Sequence, residues 1–161
     1  MVRTVMNAST IEKVISTLKN CKVASAFSLN VLDTKTNKAI NIEKDIEEIY
    51  VTNVNDRYAR ANHFTTKKDE LPDEPMSSKF RDEKSNELIK EIDKTTATIE
   101  NLKAIISYET EDYYKSIFKD PKKYFDKSRT VANFSYDSDN NMIEIIDYLD
   151  DSKLKFTYEE F

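Results

Sequence analysis

ANFSYDSDNNMIEIIDYLDDSKLKFTY, residues 132–158, is the stretch on which the fold turns. Ala132, Phe134 and Tyr136 alternate with polar residues, and Asp137 to Asn141 make a polar turn. Met142 to Leu149 read as a central strand and Asp150-Asp151-Ser152 turn again. Leu154, Phe156 and Tyr158 then alternate with Lys153, Lys155 and Thr157. Successive side chains on a strand point to opposite faces, so three such runs joined by short turns predict a three-stranded antiparallel meander. Asn and Asp hold the turns where other chains use glycine, because their short polar side chains tolerate the left-handed region best after it.

Upstream of the meander the period lengthens. From Ser85, Leu88, Ile92, Thr95, Ile99, Leu102 and Ile106 recur at heptad spacing, which predicts a long central helix. That helix is either a core element lying on a sheet or the seam of a homodimer through residues 88–106. Thr110 looks like the cap of a further helix through Phe118, ended or restarted at Asp120-Pro121. Residues 67–84, with two of the three prolines and no periodicity, read as a loop or linker. Near the N-terminus, Ser9-Thr10-Ile11-Glu12 is a capping box, and Ile11, Val14, Ile15 and Leu18 form the stripe of a helix over 10–20. Val23, Phe27, Leu29 and Val31 share one face of a strand, Asp33 to Lys38 turn, and Ile40 and Ile42 return. Ile46 to Val54 fits either period; the β-branched residues favour strand from Glu48. The expectation is an α+β fold. Residues 1–66 supply an N-terminal helix with antiparallel strands, and 85–161 the long helix and the C-terminal meander, as one domain or as two halves. No internal repeat stands out, although both halves combine a helix with antiparallel strands.

Composition narrows function by exclusion. The 161 residues include no glycine, and the phosphate-binding loop, the dinucleotide fingerprint, the kinase lid and the nucleophile elbow all need it at fixed positions. One histidine (His63), one cysteine (Cys21) and no tryptophan remain, a set that favours binding over bond-making. A single cysteine cannot form an intrachain disulfide, and no apolar run is long enough for a membrane span or signal peptide, so a cytosolic protein is expected. The net charge of −5 is uneven: +1 over residues 1–54, +3 over 55–68 and −9 over 69–161. A basic middle and an acidic C-terminal half can steer partners but do not specify a fold.

Candidate sites are few. Asp137 to Asn141 mimics the start of an EF-hand loop, but Met142 stands where that loop needs glycine and Tyr148 where it needs a bidentate glutamate. Asp147, Asp150 and Asp151 read as solvated turn residues, and one His with one Cys cannot close a zinc site. No metal or cofactor is expected. Cys21 and His63 could form a thiolate–imidazole pair, but nothing in the sequence brings them together, and a lone cysteine after a helix reads as a packing residue. Arg57, Tyr58, Arg60, His63 and Phe64, followed by Lys67 and Lys68, interleave cations with aromatics as single-strand binders do. Four cations are a small footprint, and the acidic remainder disfavours nucleic acid. Tyr113, Tyr114, Tyr124, Phe125, Tyr158 and Phe161 complete the partner-binding set, since tyrosine buries large area at small entropic cost.

Small size, lack of catalytic motifs, a residue profile rich in Lys, Asn, Ile, Tyr, Phe and Asp, and an acidic, aromatic C-terminal half characterise the chain. In these it resembles the host-directed inhibitors of T4-like bacteriophages, most of all those of the ATP-dependent Lon protease. The resemblance implies a non-enzymatic protein of the host cytosol that binds an AAA+ protease as partner and blocks proteolysis. A transcription modulator using Arg57, Arg60, Lys67 and Lys68, and a virion structural protein assembled through the heptad seam, are the alternatives.

Overall fold

A computed structural model describes residue 5 and residues 7–66 and 76–157. The elements, in chain order, are α1 (Ile11–Lys19), β1 (Phe27–Asp33), β2 (Lys38–Lys44), β3 (Ile49–Val54), α2 (Met76–Glu91), α3 (Ile99–Ile106), a short 3-10 turn (Tyr113–Lys115), β4 (Ala132–Asp137), β5 (Met142–Asp147) and β6 (Lys153–Thr157). The two sheets are three-stranded antiparallel meanders, ordered β1-β2-β3 and β4-β5-β6. The α+β class, the N-terminal helix with its strands and the C-terminal meander are as the periodicities predict. The chain divides into two compact units, one of residues 1–58 and 62–74, the other of 59–61 and 75–161.

In the first unit α1 starts at Thr10, whose hydroxyl accepts the Lys13 amide at 3.2 Å, and ends at Asn20. Its stripe of Ile11, Val14 and Leu18 packs with Ile40 and Ile42 of the central strand, flanked by Ile15, Phe27, Leu29, Val31 and Ile49. This hydrocarbon interface is the unit's core. The opposite face of β2 carries Asn41 and Glu43, both also buried.

In the second unit the helical region differs from the sequence expectation. Helix α2 begins at Met76, within the expected linker, and stops at Glu91, so the heptad positions from Leu88 to Ile106 do not lie along one helix. The break has a local cause. Asp93 Oδ1 accepts both the amide and the hydroxyl of Thr95 at 2.8 Å, and Thr98 opens α3 with a reciprocal cap to Asn101. Asp and Thr side chains compete with the helix for backbone groups. In α3 the buried residue is Ile105, while the seam residues Leu102 and Ile106 are exposed. The helix expected from Thr110 to Phe118 is reduced to the turn Tyr113–Lys115, because Ser116 Oγ bonds the carbonyls of Thr110 (3.2 Å) and Asp112 (3.1 Å).

Candidate functional site

The basic segment leads from one unit to the other and back. Arg57 lies 3.9 Å from Asp56. The Arg60 side chain is buried, with Nη1 3.1 Å from Asp82 Oδ1, and the same oxygen accepts the Ala61 amide at 3.2 Å. Asn86 Nδ2 donates to the Ala59 carbonyl at 3.0 Å. Arg60 is thus committed to holding residues 59–61 on α2, which removes it from a phosphate-binding surface. Tyr58 is half-buried. Lys67, Lys68, Tyr158 and Phe161 lie outside the described residues.

The aromatic set divides by environment. Tyr113 packs edge-to-face on Tyr114 and Tyr124, with centroids 5.1 and 4.9 Å apart, and its hydroxyl donates to the Ser128 carbonyl at 2.8 Å. Tyr124 is buried, which corrects its reading as a surface contact; Tyr114 and Phe125 are exposed. Lys119, also buried, lies over the Tyr113 ring at 3.5 Å and donates to the Tyr113 carbonyl. Burial lowers its pKa, and the nearby Arg81 charge lowers it further. Burial likewise lowers Arg81.

Cys21 follows α1 directly. Its amide donates to Leu18 O at 3.3 Å, and its half-buried thiol contacts the Lys22 carbonyl at 3.6 Å rather than His63. His63 precedes Thr65 and Thr66, which close over Glu43. The Thr65 amide donates to Glu43 Oε1 at 3.0 Å, the Thr66 amide to Oε2 at 3.1 Å, and the Thr66 hydroxyl also to Oε2. Asn41, beside it on the same face, donates to Ser28 Oγ (2.9 Å) and Asn30 Oδ1 (2.8 Å). A buried carboxylate needs such donors to remain in the interior.

The second unit carries its own buried carboxylate at the matching strand. Glu144 of β5 makes ion pairs with Lys103 of α3, with Lys153 at 2.8 Å and with Lys155 at 3.1 Å. Burial alone would raise the Glu144 carboxyl, but the three lysines outweigh it and bring its pKa down to about 2. Lys103 is raised by its contacts with Glu100 and Glu144. An open cleft of ≈ 200 Å³ runs along this cluster, lined by Ile99, Glu100, Lys103, Met142, Glu144 and Lys155 among others. The acidic turn residues are engaged locally. Asp137 accepts the amides of Asp139 and Asn140, Asp147 accepts that of Leu149, Asp150 accepts that of Ser152, and Asp151 pairs with Lys122.

Among the described residues, Glu43, Glu144, Lys44 and Lys119 are the buried ionisable residues that sequence reasoning passes over. The first two had a signal: a carboxylate in the middle of an apolar central strand, in Ile40-Asn41-Ile42-Glu43 and in Ile143-Glu144-Ile145. A charge there has to be paired or bonded, and so marks a built cluster. Lys119 carries no comparable pattern.

The model of the family described as acyl-coenzyme A:6-aminopenicillanic acid acyl-transferase matches residues 1–147. No curated protein and no solved structure matches the chain. A family named for covalent group transfer overturns the expectation of a non-enzymatic inhibitor of a Lon-type protease. It also removes the alternatives set beside it, a transcription modulator and a virion structural protein. The absence of glycine excludes particular phosphate- and nucleophile-presenting loops, but acyl transfer from a thioester needs none of them. With all but the last fourteen of its 161 residues inside the match, the chain belongs to the acyl-coenzyme A:6-aminopenicillanic acid acyl-transferase family.

Proposed function

We propose that the chain transfers an acyl group from an acyl thioester to an amine, with Cys21 as the residue that carries the acyl group between them. The observation behind this reading is the family match over residues 1–147. Cys21 enters because it is the only thiol in the sequence and is partly accessible. In the first half-reaction the Cys21 thiolate attacks the thioester carbonyl; a new C–S bond forms to Cys21, and the donor's C–S bond breaks to release its thiol. Exchanging one thioester for another keeps the acyl group activated. In the second, the amine attacks the Cys21 thioester, an amide forms, and the Cys21 sulfur leaves and recovers a proton. A reducing compartment, which we infer from the lone cysteine, keeps that thiol free.

Intact-mass spectrometry after incubation with a short-chain acyl-coenzyme A tests the reading. The expected result is one acyl increment on Cys21, removed by neutral hydroxylamine and absent in Cys21→Ala. Amide formation that persists in Cys21→Ala would exclude the cysteine as carrier. Failure of the intact protein both to accept an acyl group and to form amide would exclude the transfer itself.

A further inference from the structure

Both sheets end in strands that have one bonded neighbour, so β1, β3, β4 and β6 each turn a row of backbone amides and carbonyls outward. Such an edge accepts a further strand, and folded proteins blunt it with charge, proline or a bulge. Strand β1 includes Asp33, β4 includes Asp137, and β6 includes Lys153 and Lys155. Strand β3, Ile49–Val54, has no charged residue and no proline, and its register with β2 runs without a bulge. At its middle Val51, Thr52 and Asn53 are exposed in succession, so neither face is covered there; Val51 alone is 42% exposed. Among the described residues these three make no hydrogen bond outside the ladder with β2.

A second copy of the strand fits this edge. Two antiparallel strands related by a two-fold axis offer each other the same groups, and outward-facing residues alternate, so the axis passes through a residue lying opposite its own copy. The neighbouring charges select that residue. With Thr52 on the axis, Glu48 of each copy falls opposite Asp56 of the other, two like-charge contacts. With Tyr50 or Asn53 on it, the overlap within the strand shrinks to three residues. With Val51 on it, Ile49 lies opposite Asn53, Tyr50 opposite Thr52 and Val51 opposite itself, and continuing the count sets Asp45 at the level of Arg57 of the other copy. The net charge of −5 keeps copies apart elsewhere, but this strand contributes nothing to it. We infer that two copies of the chain pair through β3 about a two-fold axis at Val51, joining two three-stranded sheets into one of six strands. The pairing is independent of the acyl-transfer reading.

Sedimentation equilibrium of the full-length protein from about 1 μM to about 1 mM tests it. A monomer–dimer equilibrium is expected, with a dissociation constant of roughly 10–100 μM, as suits a small interface. Val51→Lys places two ammonium groups face to face on the axis and should weaken the dimer about tenfold or more. The position is exposed, and unchanged amide exchange at Ile40 and Ile42 verifies that the sheet is intact. Cross-linking reads the register. In a Cys21→Ala background, Val51→Cys should form an intermolecular disulfide on mild oxidation, because residues facing each other have Cα atoms about 4.5–5.5 Å apart. Asn53→Cys should not, its two copies lying about 13 Å apart along the strands. A monomer at every concentration, a dimer that Val51→Lys leaves intact, as one formed through residues 88–106 would be, or equal cross-linking at positions 51 and 53 would each overturn the inference.

Discussion

Asn37, Asn141 and Asp151 hold φ angles of 52°, 53° and 60°, and each sits in a hairpin turn between neighbouring strands. The left-handed region costs most L-residues about 1–2 kcal/mol. A chain without glycine has to meet that cost with the residues that pay least. The turns recover part of it through side-chain bonds. Asp33 accepts the Lys35 amide at 2.9 Å and the Thr36 hydroxyl at 2.8 Å, and Asp137 accepts the Asn140 side-chain amide at 2.7 Å. These bonds also lower both carboxyls, chiefly through the side chains of Thr36 and Asn140. Replacing Asn141 by Ala keeps the strand sequences intact but removes the polar side chain that makes this φ tolerable, together with the oxygen that accepts the Tyr136 hydroxyl at 3.3 Å. Asn141→Ala should destabilise the second unit by about 1 kcal/mol in urea titrations. An unchanged midpoint would mean that the hairpin had found another turn.

At the scale of elements, the C-terminal meander was legible because alternation is a direct image of a half-buried strand, although its central strand, expected through Leu149, ends at Asp147; in the first meander Ile46 to Val54 fitted either period, and only the β-branched residues favoured the strand Ile49–Val54. Helix α1 was legible for the same reason, its apolar stripe being the face it buries. Helix α2 was not, because the residues it turns inward include Ser78, Asp82 and Asn86 as well as Ile89, spaced as a helix face but mostly polar. Asp82 and Asn86 serve residues 59–61 instead of a hydrocarbon core, and a search for apolar periodicity passes over them. The heptad failed for a related reason. Its spacing ran across Asp93 and Thr98, whose side chains end one helix and start the next, and the new helix turned Ile105 inward. Among site residues, Cys21 read as a packing residue, and Glu144's apolar neighbours marked a charge that needs partners without saying which. Glu144's three lysines come from α3 and β6, brought together only by the fold. The contrast between the heptad and the structure can be measured. Ile105→Ala should cost about 2–3 kcal/mol, as loss of a buried side chain does, whereas Leu102→Ala, on the exposed face, should cost less than about 1 kcal/mol. Reversed costs in denaturant titrations would restore the heptad face as the buried one.

Across the whole molecule, both units join a helix to a three-stranded meander, and their first hairpins share a register, Asp33 opposite Lys38 and Asp137 opposite Met142. Their chemistry is inverted. Counting back from those matched hairpins, Ile40 and Ile42, which pack with α1, correspond to Glu144 and Ile146, and Glu144 is the residue that α3 reaches through Lys103. The first unit thus has hydrocarbon at this position, and the second a buried carboxylate ion-paired to its helix, so acid should act on them differently. The folded Glu144 carboxyl, at about 2, lies below the ordinary value of 4.5. Its contribution to stability is complete above the unfolded value and is lost as pH falls from about 4.5 towards 2. Hydrogen exchange of the intact protein, followed residue by residue over that range, resolves the effect by location. In the wild type, amides of β4, β5, β6 and α3 should lose protection progressively. In Glu144→Gln they should start roughly 2 kcal/mol lower, the cost of removing a charge that three donors contact, and change less with pH. Amides of β1, β2 and β3 should follow the same pH course in both proteins, because no ion pair to Glu144 involves that unit among the described residues. Equal loss in both sheets on replacing Glu144 would show instead that the two units unfold as one.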